Sequence, residues 1–335
     1  MPTSMVVLGD GAWGTVIALL LARNPEHRIV LWSAREENGR LLRERRENVR
    51  LLPGVAIPST VHLTTDIRQA VEGAALWVTA IPTVYLRPTL TRIAEATSTR
   101  APVLSLVKGL EIATFSRPTE IVTQVLGVRE TAVLSGPSHA EEIARGLPAS
   151  VVAASSDPAL AEWIQRSFAS DRFRVYTNPD PLGVELAGAL KNILGIASGI
   201  NDGLGLGDNA KAALLTRGLV EMTRFGVALG ARERTFAGLA GLGDLITTCI
   251  SPHGRNHRVG QRLARGECWS EIEASTNMVA EGAYTARSVH ERAAQMGIVM
   301  PIATEVYRVL YEKKSPRDAV NDLMLREPKG EGESP

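Results

Sequence analysis

Charged side chains interrupt two apolar segments in the second half of the chain. Lys191 and Asn192 lie within the apolar run 185–197, and Asp244 is the only Asp, Glu, Lys or Arg from Thr235 to Gly254. An unpaired ammonium is costly to bury, so we expect Lys191 and Asp244 to meet in a cleft. A buried amine beside a carboxylate can be poised for proton transfer. The alternative is a buried ion pair with a purely structural role.

Polar groups also follow two apolar strand patterns in the first half. Lys108 comes directly after the run 103–107, and Gly136 and Ser138 follow the run 131–134. In an open parallel sheet the carboxyl ends of the strands line the ligand crevice. We therefore expect Lys108 to polarise or position a substrate, and the Gly136–Ser138 turn to offer N–H and hydroxyl donors. A strand-end lysine in solvent is the alternative for Lys108.

A basic turn near residue 255 is a candidate anion site. Arg255 and Asn256 follow Ser251 and Pro252, where a helix is predicted to begin. An arginine beside the free N–H groups of a helix start can clamp a phosphate. The alternative is an exposed cationic turn.

A glycine-rich loop follows the first predicted strand and opens the first predicted helix. Its pattern is Gly9-x-Gly11-x-x-Gly14. Glycines there permit a tight turn and a close approach of the backbone to a pyrophosphate, which the helix N-terminus then faces. The loop predicts dinucleotide binding; a tight turn without a ligand is the alternative. Trp13 is unusual here, and it lies either against the nicotinamide half of the cofactor or beneath the loop.

The end of the second strand indicates which dinucleotide is used. The chain reads Leu-Trp-Ser33-Ala-Arg35, and the first acidic residues, Glu36 and Glu37, come after the arginine. An acidic residue at this place suits a ribose hydroxyl, whereas an arginine suits a 2′-phosphate. We expect Arg35, helped by Ser33, to hold a 2′-phosphate, so that NADP(H) is preferred and NAD(H) is possible. A solvated surface arginine is the alternative.

The elements that position these residues change character near residue 180. Strand and helix patterns alternate up to that point, which predicts an α/β, doubly wound, largely parallel sheet. From there to about residue 325 the periodicity is helical, which predicts an all-α domain. We therefore predict a dinucleotide-binding domain over 1–180, a helical substrate domain over 181–325 and a disordered charged tail over 326–335.

Composition excludes several classes of protein. The 335 residues have a formal net charge of +1, which gives no basic surface for nucleic acid. Two cysteines, Cys249 and Cys268, make a disulfide framework unexpected, and His253 and His257 have no further ligand nearby, so we expect no metal. Apolar stretches are too short to insert in a membrane, and no charged leader precedes the first strand, so we expect a cytoplasmic protein.

Taken together, these segments resemble the bacterial NAD(P)-dependent glycerol-3-phosphate dehydrogenases along nearly the whole chain, to about Leu323. The segments that carry the resemblance are GDGAWGT (9–15), SLVKGLE (105–111), SGPSHAEE (135–142), GVELAGALKN (183–192), GDNAKAA (207–213), GLGDL (241–245), RN (255–256) and VAEG (279–282). The resemblance implies a fold like that of 6-phosphogluconate dehydrogenase, a homodimer, and reduction of dihydroxyacetone phosphate to sn-glycerol 3-phosphate for phospholipid synthesis.

The resemblance also implies roles for individual residues. Lys191 matches the proton-transfer lysine, with Asp244 as its catalytic partner. The positions that match substrate contacts are Lys108, Gly136, Ser138, Lys191, Asn192, Asp244, Gly254, Arg255 and Asn256. The positions that match cofactor contacts are Gly9, Gly11, Ala12, Trp13, Gly14, Arg35, Lys108, Ala140, Arg255, Val279 and Glu281. Two residues depart from the family: Gly254 replaces a common serine, and Asp10 replaces a small apolar residue, so we expect Asp10 to point away from the pyrophosphate.

Two other functions remain open at this point. An enzyme of the same architecture could act on a hydroxyacid or a sugar-acid phosphate, but its substrate carboxylate would need an arginine near Lys191, and that helix contains none. A non-catalytic protein that senses NADP would have no use for Lys191 and Asp244 buried together.

Overall fold

The protein is described from a computed structural model that covers residues 2–251, 254–276, 279–328 and 330–331. The chain forms two compact units, the first of Met1–Val107 and Arg117–Pro181 and the second of Lys108–Ser116 and Leu182–Pro335. In these ranges no helix has both the length and the apolar character needed to cross a membrane. The predicted boundary at 180 and the predicted tail stay predictions, and residues 329 and 332–335 of that tail lie outside the described part.

The first unit is built on an eight-stranded sheet. Its strands and those of a small hairpin are β1 (Thr3–Leu8), β2 (His27–Trp32), β3 (Glu47–Asn48), β4 (Leu52–Ala56), β5 (Val61–Thr64), β6 (Leu76–Thr79), β7 (Val103–Ser105), β8 (Thr131–Ser135), β9 (Ala149–Ser155) and β10 (Phe173–Asn178). The sheet order is β10-β9-β8-β7-β6-β1-β2-β5, and β3 pairs with β4. All pairs in the large sheet are parallel except β8 with β9.

The helices of this unit follow the strands in alternation. They are α1 (Ala12–Leu21), α2 (Glu36–Arg45), α3 (Ile67–Val71), α4 (Thr83–Ala96), α5 (Pro118–Leu126), α6 (Ala140–Ala144) and α7 (Pro158–Phe168). The central strands are buried on both faces, as their continuous β-branched and aliphatic runs predict. The predicted Rossmann-type fold of this part of the chain is confirmed.

All the regular secondary structure in the described residues of the second unit is helical. Its helices are α8 (Pro181–Leu204), α9 (Gly207–Ala228), α10 (Glu233–Phe236), α11 (Asp244–Ile250), α12 (Arg255–Ala264), α13 (Trp269–Ala274), α14 (Glu281–Met296), α15 (Pro301–Tyr311) and α16 (Pro316–Met324). A π-helical turn, Leu239–Gly243, leads directly into α11. The predicted all-α domain is confirmed.

Helix α8 is the centre of the second unit. Residues 183–196 are all buried, which agrees with the prediction of a helix packed on every side. Its glycines let other helices approach closely: a Cβ at Gly199 would lie 2.0 Å from the carbonyl oxygen of His257, on α12. Small residues therefore bring the backbone of α12 against α8 beside Lys191 and Asn192.

The sequence missed some short elements of the first unit. The hairpin β3–β4 contains a proline and a glycine, and β5 has only four residues, so none of the three shows a usable period. The strand expected over 103–107 ends at Ser105, and the following segment Lys108–Ser116 belongs to the second unit.

Candidate active site

The glycine loop lies at the carboxyl end of β1, between β2 and β6, where the strand order reverses. Gly9 has a φ of +117°, and a Cβ there would lie 2.9 Å from the carbonyl oxygen of Ala80. A Cβ at Gly14 would lie 2.0 Å from the carbonyl oxygen of Gly9, whereas one at Gly11 would meet nothing within 4 Å. Two glycines are thus needed for the turn itself, and the third leaves open space at the start of α1. The first N–H groups of a helix have no hydrogen-bond partner inside the helix. They can therefore donate to a pyrophosphate in this space.

Of the two places expected for Trp13, the structure shows its ring packed against the apolar core of the first unit, together with Ala12. The indole N–H is buried without a hydrogen-bond partner. The side chain is only partly buried, so a contact with the nicotinamide stays a prediction, and the backbone of Ala12 and Trp13 lies at the first turn of α1.

The end of β2 differs from the sequence-based expectation in one respect. The Ser33 hydroxyl donates to Asp10 Oδ2 at 2.6 Å, so it does not assist Arg35 in the way we predicted. Arg35 itself is exposed at the residue before α2, and among the described residues its guanidinium makes no hydrogen bond or ion pair. Asp10 faces the end of β2 through this contact.

The turn after β8 depends on a glycine with a positive φ that lies close to the neighbouring strand β9. Gly136 has a φ of +127°, and a Cβ there would lie 3.1 Å from the Cα of Val151. Ser138 Oγ donates to the carbonyl oxygen of Gly136 at 2.9 Å, and the buried Ala140 begins α6. The three residues thus form one strand-to-helix turn at the carboxyl end of a strand, as predicted.

In the second unit, Lys191 and Asp244 meet as the sequence predicted. Lys191 Nζ donates to Asp244 Oδ1 at 2.7 Å and to Thr248 Oγ1 at 2.7 Å. Lys108 Nζ donates to the other carboxylate oxygen, Oδ2, also at 2.7 Å. The side chain of Asp244 is 2% exposed, that of Lys191 9% and that of Lys108 18%. One buried carboxylate is therefore shared by two ammonium groups, a group we call the lysine–aspartate site.

The electrostatics of this site favour a lysine that can exchange its proton. Burial lowers the pKa of Lys191 to about 8; the charge of Asp244 opposes that fall, and the charge of Lys108 adds to it. Burial alone would raise the pKa of Asp244, but Lys108 and Lys191 together hold it below its usual value. The carboxylate thus stays charged while one of its two amine partners is close to losing its proton at neutral pH.

Two asparagines fix the surroundings of the lysine–aspartate site. Asn192 Nδ2 donates to the carbonyl oxygens of Lys108, at 2.8 Å, and Gly188, at 3.3 Å. Its Oδ1 accepts from Asn256 Nδ2 at 3.0 Å, and Asn256 Oδ1 accepts from the backbone N–H of Gly282 at 3.0 Å. The two amides join α8, α12, α14 and the Lys108 segment, and Asn192 has no donor left over for a substrate.

Sequence reasoning overlooked Thr248. It lies four residues after Asp244 on α11, so both side chains project from the same face of the helix. That i, i+4 spacing was the available signal. A Cβ at Gly195 would lie 2.8 Å from Thr248 Cγ2, so the glycine one turn after Lys191 admits the threonine.

Arg255 and Asn256 begin α12, as predicted, with Gly254 as the N-cap residue and without a side-chain cap. Arg255 is exposed, and its Nη1 donates to the carbonyl oxygen of Val279 at 3.1 Å. Glu281 is the first residue of α14, two positions beyond Val279. Arg255 thus contacts the backbone shortly before α14, whereas Asn256 is buried beside Asn192.

Of the two histidines considered for a metal, the structure describes His257, which is paired with a carboxylate. His257 Nε2 lies 2.8 Å from Asp202 Oδ2, and Lys211 Nζ donates to the same carboxylate. His253 lies outside the described residues. Over the part of the chain that the structure describes, no group of three or more His, Cys, Asp or Glu side chains could hold a metal ion.

A glycine loop on a doubly wound sheet, followed by a helical unit with a buried lysine paired to an aspartate, is the arrangement of NAD(P)-dependent oxidoreductases. Family models for the N-terminal and C-terminal parts of NAD-dependent glycerol-3-phosphate dehydrogenase match residues 4–161 and 180–321. The chain belongs to the NAD-dependent glycerol-3-phosphate dehydrogenase family, as the sequence motifs implied.

Individual relatives match over nearly their whole lengths. A glycerol-3-phosphate dehydrogenase (NAD(P)+) 2 of Salinibacter ruber is 45% identical, with 99% of this chain and 97% of that protein covered. A protein of the same general name from Moorella thermoacetica is 47% identical, with 97% of each covered. The crystal structure of a glycerol-3-phosphate dehydrogenase from Coxiella burnetii has a TM-score of 0.92 at 37% identity and covers 97% of this chain and 99% of that one.

Proposed function

We propose that the protein reduces dihydroxyacetone phosphate to sn-glycerol 3-phosphate with NAD(P)H. The observation that carries the proposal is the lysine–aspartate site, in which Lys191 and Lys108 share the buried carboxylate of Asp244. Membership of the family and the names of the relatives supply the substrate.

The reaction needs a proton at the carbonyl oxygen as hydride reaches the carbonyl carbon. NAD(P)H, when bound, supplies that hydride. Lys191 gives the proton, because burial has brought its pKa to about 8, close to neutral pH. Asp244 keeps the amine protonated before transfer and balances its charge, and Thr248 accepts from Nζ and so limits its rotation. Asp244 and Thr248 are thus positioning groups for the proton donor.

The remaining substrate groups would be held by charge and by helix ends. Lys108 is the more exposed of the two lysines and can polarise the carbonyl or a hydroxyl while it stays paired with Asp244. Arg255 and the N-terminus of α12 would bind the phosphate, whose remote binding energy helps to hold the carbonyl in place. Asn192 and Asn256 would act on the substrate mainly by fixing Lys108 and α12. Gly136 and Ser138 are proposed substrate contacts from the first unit.

The cofactor would lie along the glycine loop. Gly9, Gly11 and Gly14 would admit the pyrophosphate, and the exposed Arg35 would hold a 2′-phosphate, which favours NADP(H) over NAD(H). Ala12, Trp13, Ala140, Val279 and Glu281 are proposed further contacts. We also propose that the enzyme is a cytoplasmic homodimer that supplies glycerophospholipid synthesis, as the family resemblance implies.

A steady-state assay tests the proposed reaction. NADPH and NADH oxidation are followed with dihydroxyacetone phosphate and, for comparison, with 2-keto and 3-keto acids. We expect turnover with dihydroxyacetone phosphate alone. Turnover with a keto acid in its place would favour a hydroxyacid dehydrogenase, and cofactor binding without turnover of any ketone would favour a sensor protein.

A further inference from the structure

A partly buried polar contact joins the end of β2 to the glycine loop in the first unit. Ser33, the first residue after β2, is 1% exposed, and its hydroxyl donates to Asp10 Oδ2 at 2.6 Å. The carbonyl oxygen of Arg35 lies farther from that hydroxyl, at 3.1 Å. A hydroxyl has one proton, and the short bond to a charged acceptor is the stronger of the two. Ser33 therefore serves Asp10, and its hydroxyl is not available to donate to a ligand.

A second hydrogen bond, to the backbone of Asp10, also fixes the position of this residue. Asn48 Nδ2 donates to the backbone carbonyl oxygen of Asp10 at 2.8 Å and to Thr15 Oγ1 at 2.9 Å. Asn48 is itself buried. The glycine loop, the start of α1 and the end of β2 are thus tied together around a partly exposed carboxylate. Its second oxygen, Oδ1, has no hydrogen-bond partner in the described part of the chain and can accept one from a ligand.

The place of this carboxylate matters because the end of β2 is where a dinucleotide-binding fold distinguishes a 2′-hydroxyl from a 2′-phosphate. Acceptors suit the hydroxyl, and cations suit the phosphate. Here both are present: Arg35, two residues beyond Ser33, supplies a cation, and Asp10 supplies a carboxylate one hydrogen bond from Ser33. No ion pair joins these two described side chains, so each can meet a ligand.

We propose that Asp10 is a specificity-determining residue that opposes Arg35. Its carboxylate repels the 2′-phosphate of NADPH and accepts a hydrogen bond from the 2′-hydroxyl of NADH. The preference for NADPH that Arg35 creates is thereby reduced, and the enzyme can use both cofactors. This inference rests on the proposed function only in taking the end of β2 as the 2′ site.

Binding of nucleotide fragments tests the proposal without turnover. Calorimetry measures the affinities of 2′,5′-ADP and 5′-AMP for the full-length protein and for Asp10→Asn, with Arg35→Ala as the opposite case. Since removing the negative charge removes a repulsion felt only by the 2′-phosphate, we expect Asp10→Asn to raise the ratio of 2′,5′-ADP to 5′-AMP affinity by about tenfold, or about 1.4 kcal/mol. Arg35→Ala should lower the same ratio. The preference for NADPH over NADH in kcat/KM should move in the same directions.

A matched control separates a local effect from loss of net charge. Asp171→Asn makes the same change on a side chain that is 83% exposed elsewhere in the first unit, and it should leave the ratio unchanged. A ratio within twofold of the parent in Asp10→Asn, or equal weakening of both fragments, would overturn the proposal and leave Asp10 a structural brace of the loop. Failure of the proposed reaction would appear differently, as absent turnover with dihydroxyacetone phosphate while the fragment affinities still respond.

Discussion

At the scale of single residues, the proposed proton transfer depends on how three charged side chains share one buried site. Asp244 is nearly inaccessible to solvent and receives Lys191 on one oxygen and Lys108 on the other. Breaking a buried pair by removing one partner is strongly destabilising, because the other charge is left uncompensated. With three members, one proton can leave Lys191 while Asp244 and Lys108 remain a balanced pair. That is a physical reason for a proton donor to have a second lysine nearby.

The pH dependence of turnover should report Lys191. Reduction needs the protonated amine, so we expect kcat/KM for dihydroxyacetone phosphate to fall as the pH rises through about 8. Asp244 raises the pKa of Lys191, and its removal should move this falling limb to lower pH. A pH–rate profile of Asp244→Asn measures the shift. An unmoved limb in the variant would mean that another group limits the rate.

At the scale of elements, the site depends on how closely α11 approaches α8. Thr248 reaches Lys191 because Gly195 has no side chain, and a Cβ there would come within 2.8 Å of Thr248 Cγ2. Helix propensity alone favours alanine over glycine by about 1 kcal/mol. The glycine is therefore explained by the contact with α11.

Replacing Gly195 by alanine tests this explanation. We expect Gly195→Ala to displace Thr248 and to lower kcat by about tenfold or more, since a misplacement of 1 Å can cost that much or more in rate. Thermal unfolding provides the control: a variant that keeps its Tm but loses turnover has lost the site geometry. Parental kcat would show that Thr248 can move without consequence.

These elements also show what the sequence could and could not predict. Charges inside apolar runs predicted the meeting of Lys191 and Asp244, because burial of a charge demands a partner. The ion pair between Lys108 and Asp244 was not predicted. The two residues are 136 positions apart in the sequence, and only the tertiary fold brings them together. The amide N–H groups of Asn192 and the hydroxyl of Ser33 were expected to donate hydrogen bonds to ligands, yet both donate to protein acceptors. Residue type reveals which groups can form a hydrogen bond, but not which neighbour takes it.

At the scale of the whole molecule, the free energy of unfolding should depend on pH because of one buried carboxylic acid. Glu221 on α9 is 5% exposed and accepts the backbone N–H groups of Ile302 and Ala303 at the start of α15. Burial raises its pKa to about 7, although these N–H groups act in the opposite direction. Because its pKa is raised in the folded state, the contribution of Glu221 to stability is complete below pH 4.5 and is lost as the pH rises towards 7.

Denaturant unfolding at several pH values checks this linkage. We expect Glu221 to lower the free energy of unfolding between pH 4.5 and 7 by up to about 3 kcal/mol, and Glu221→Gln to remove that slope. Glu233→Gln, on an exposed position of α10, should leave the slope as it is. An equal slope in the parent and in Glu221→Gln would assign the pH dependence to other groups.

The central claim is that the amine of Lys191 delivers the proton, and its removal tests this most directly. Turnover of dihydroxyacetone phosphate by Lys191→Ala is measured together with the affinity for NADPH. We predict that turnover is abolished while NADPH affinity stays within about threefold, because the lost interaction belongs to the transition state. Turnover within about tenfold of the parent enzyme would contradict it.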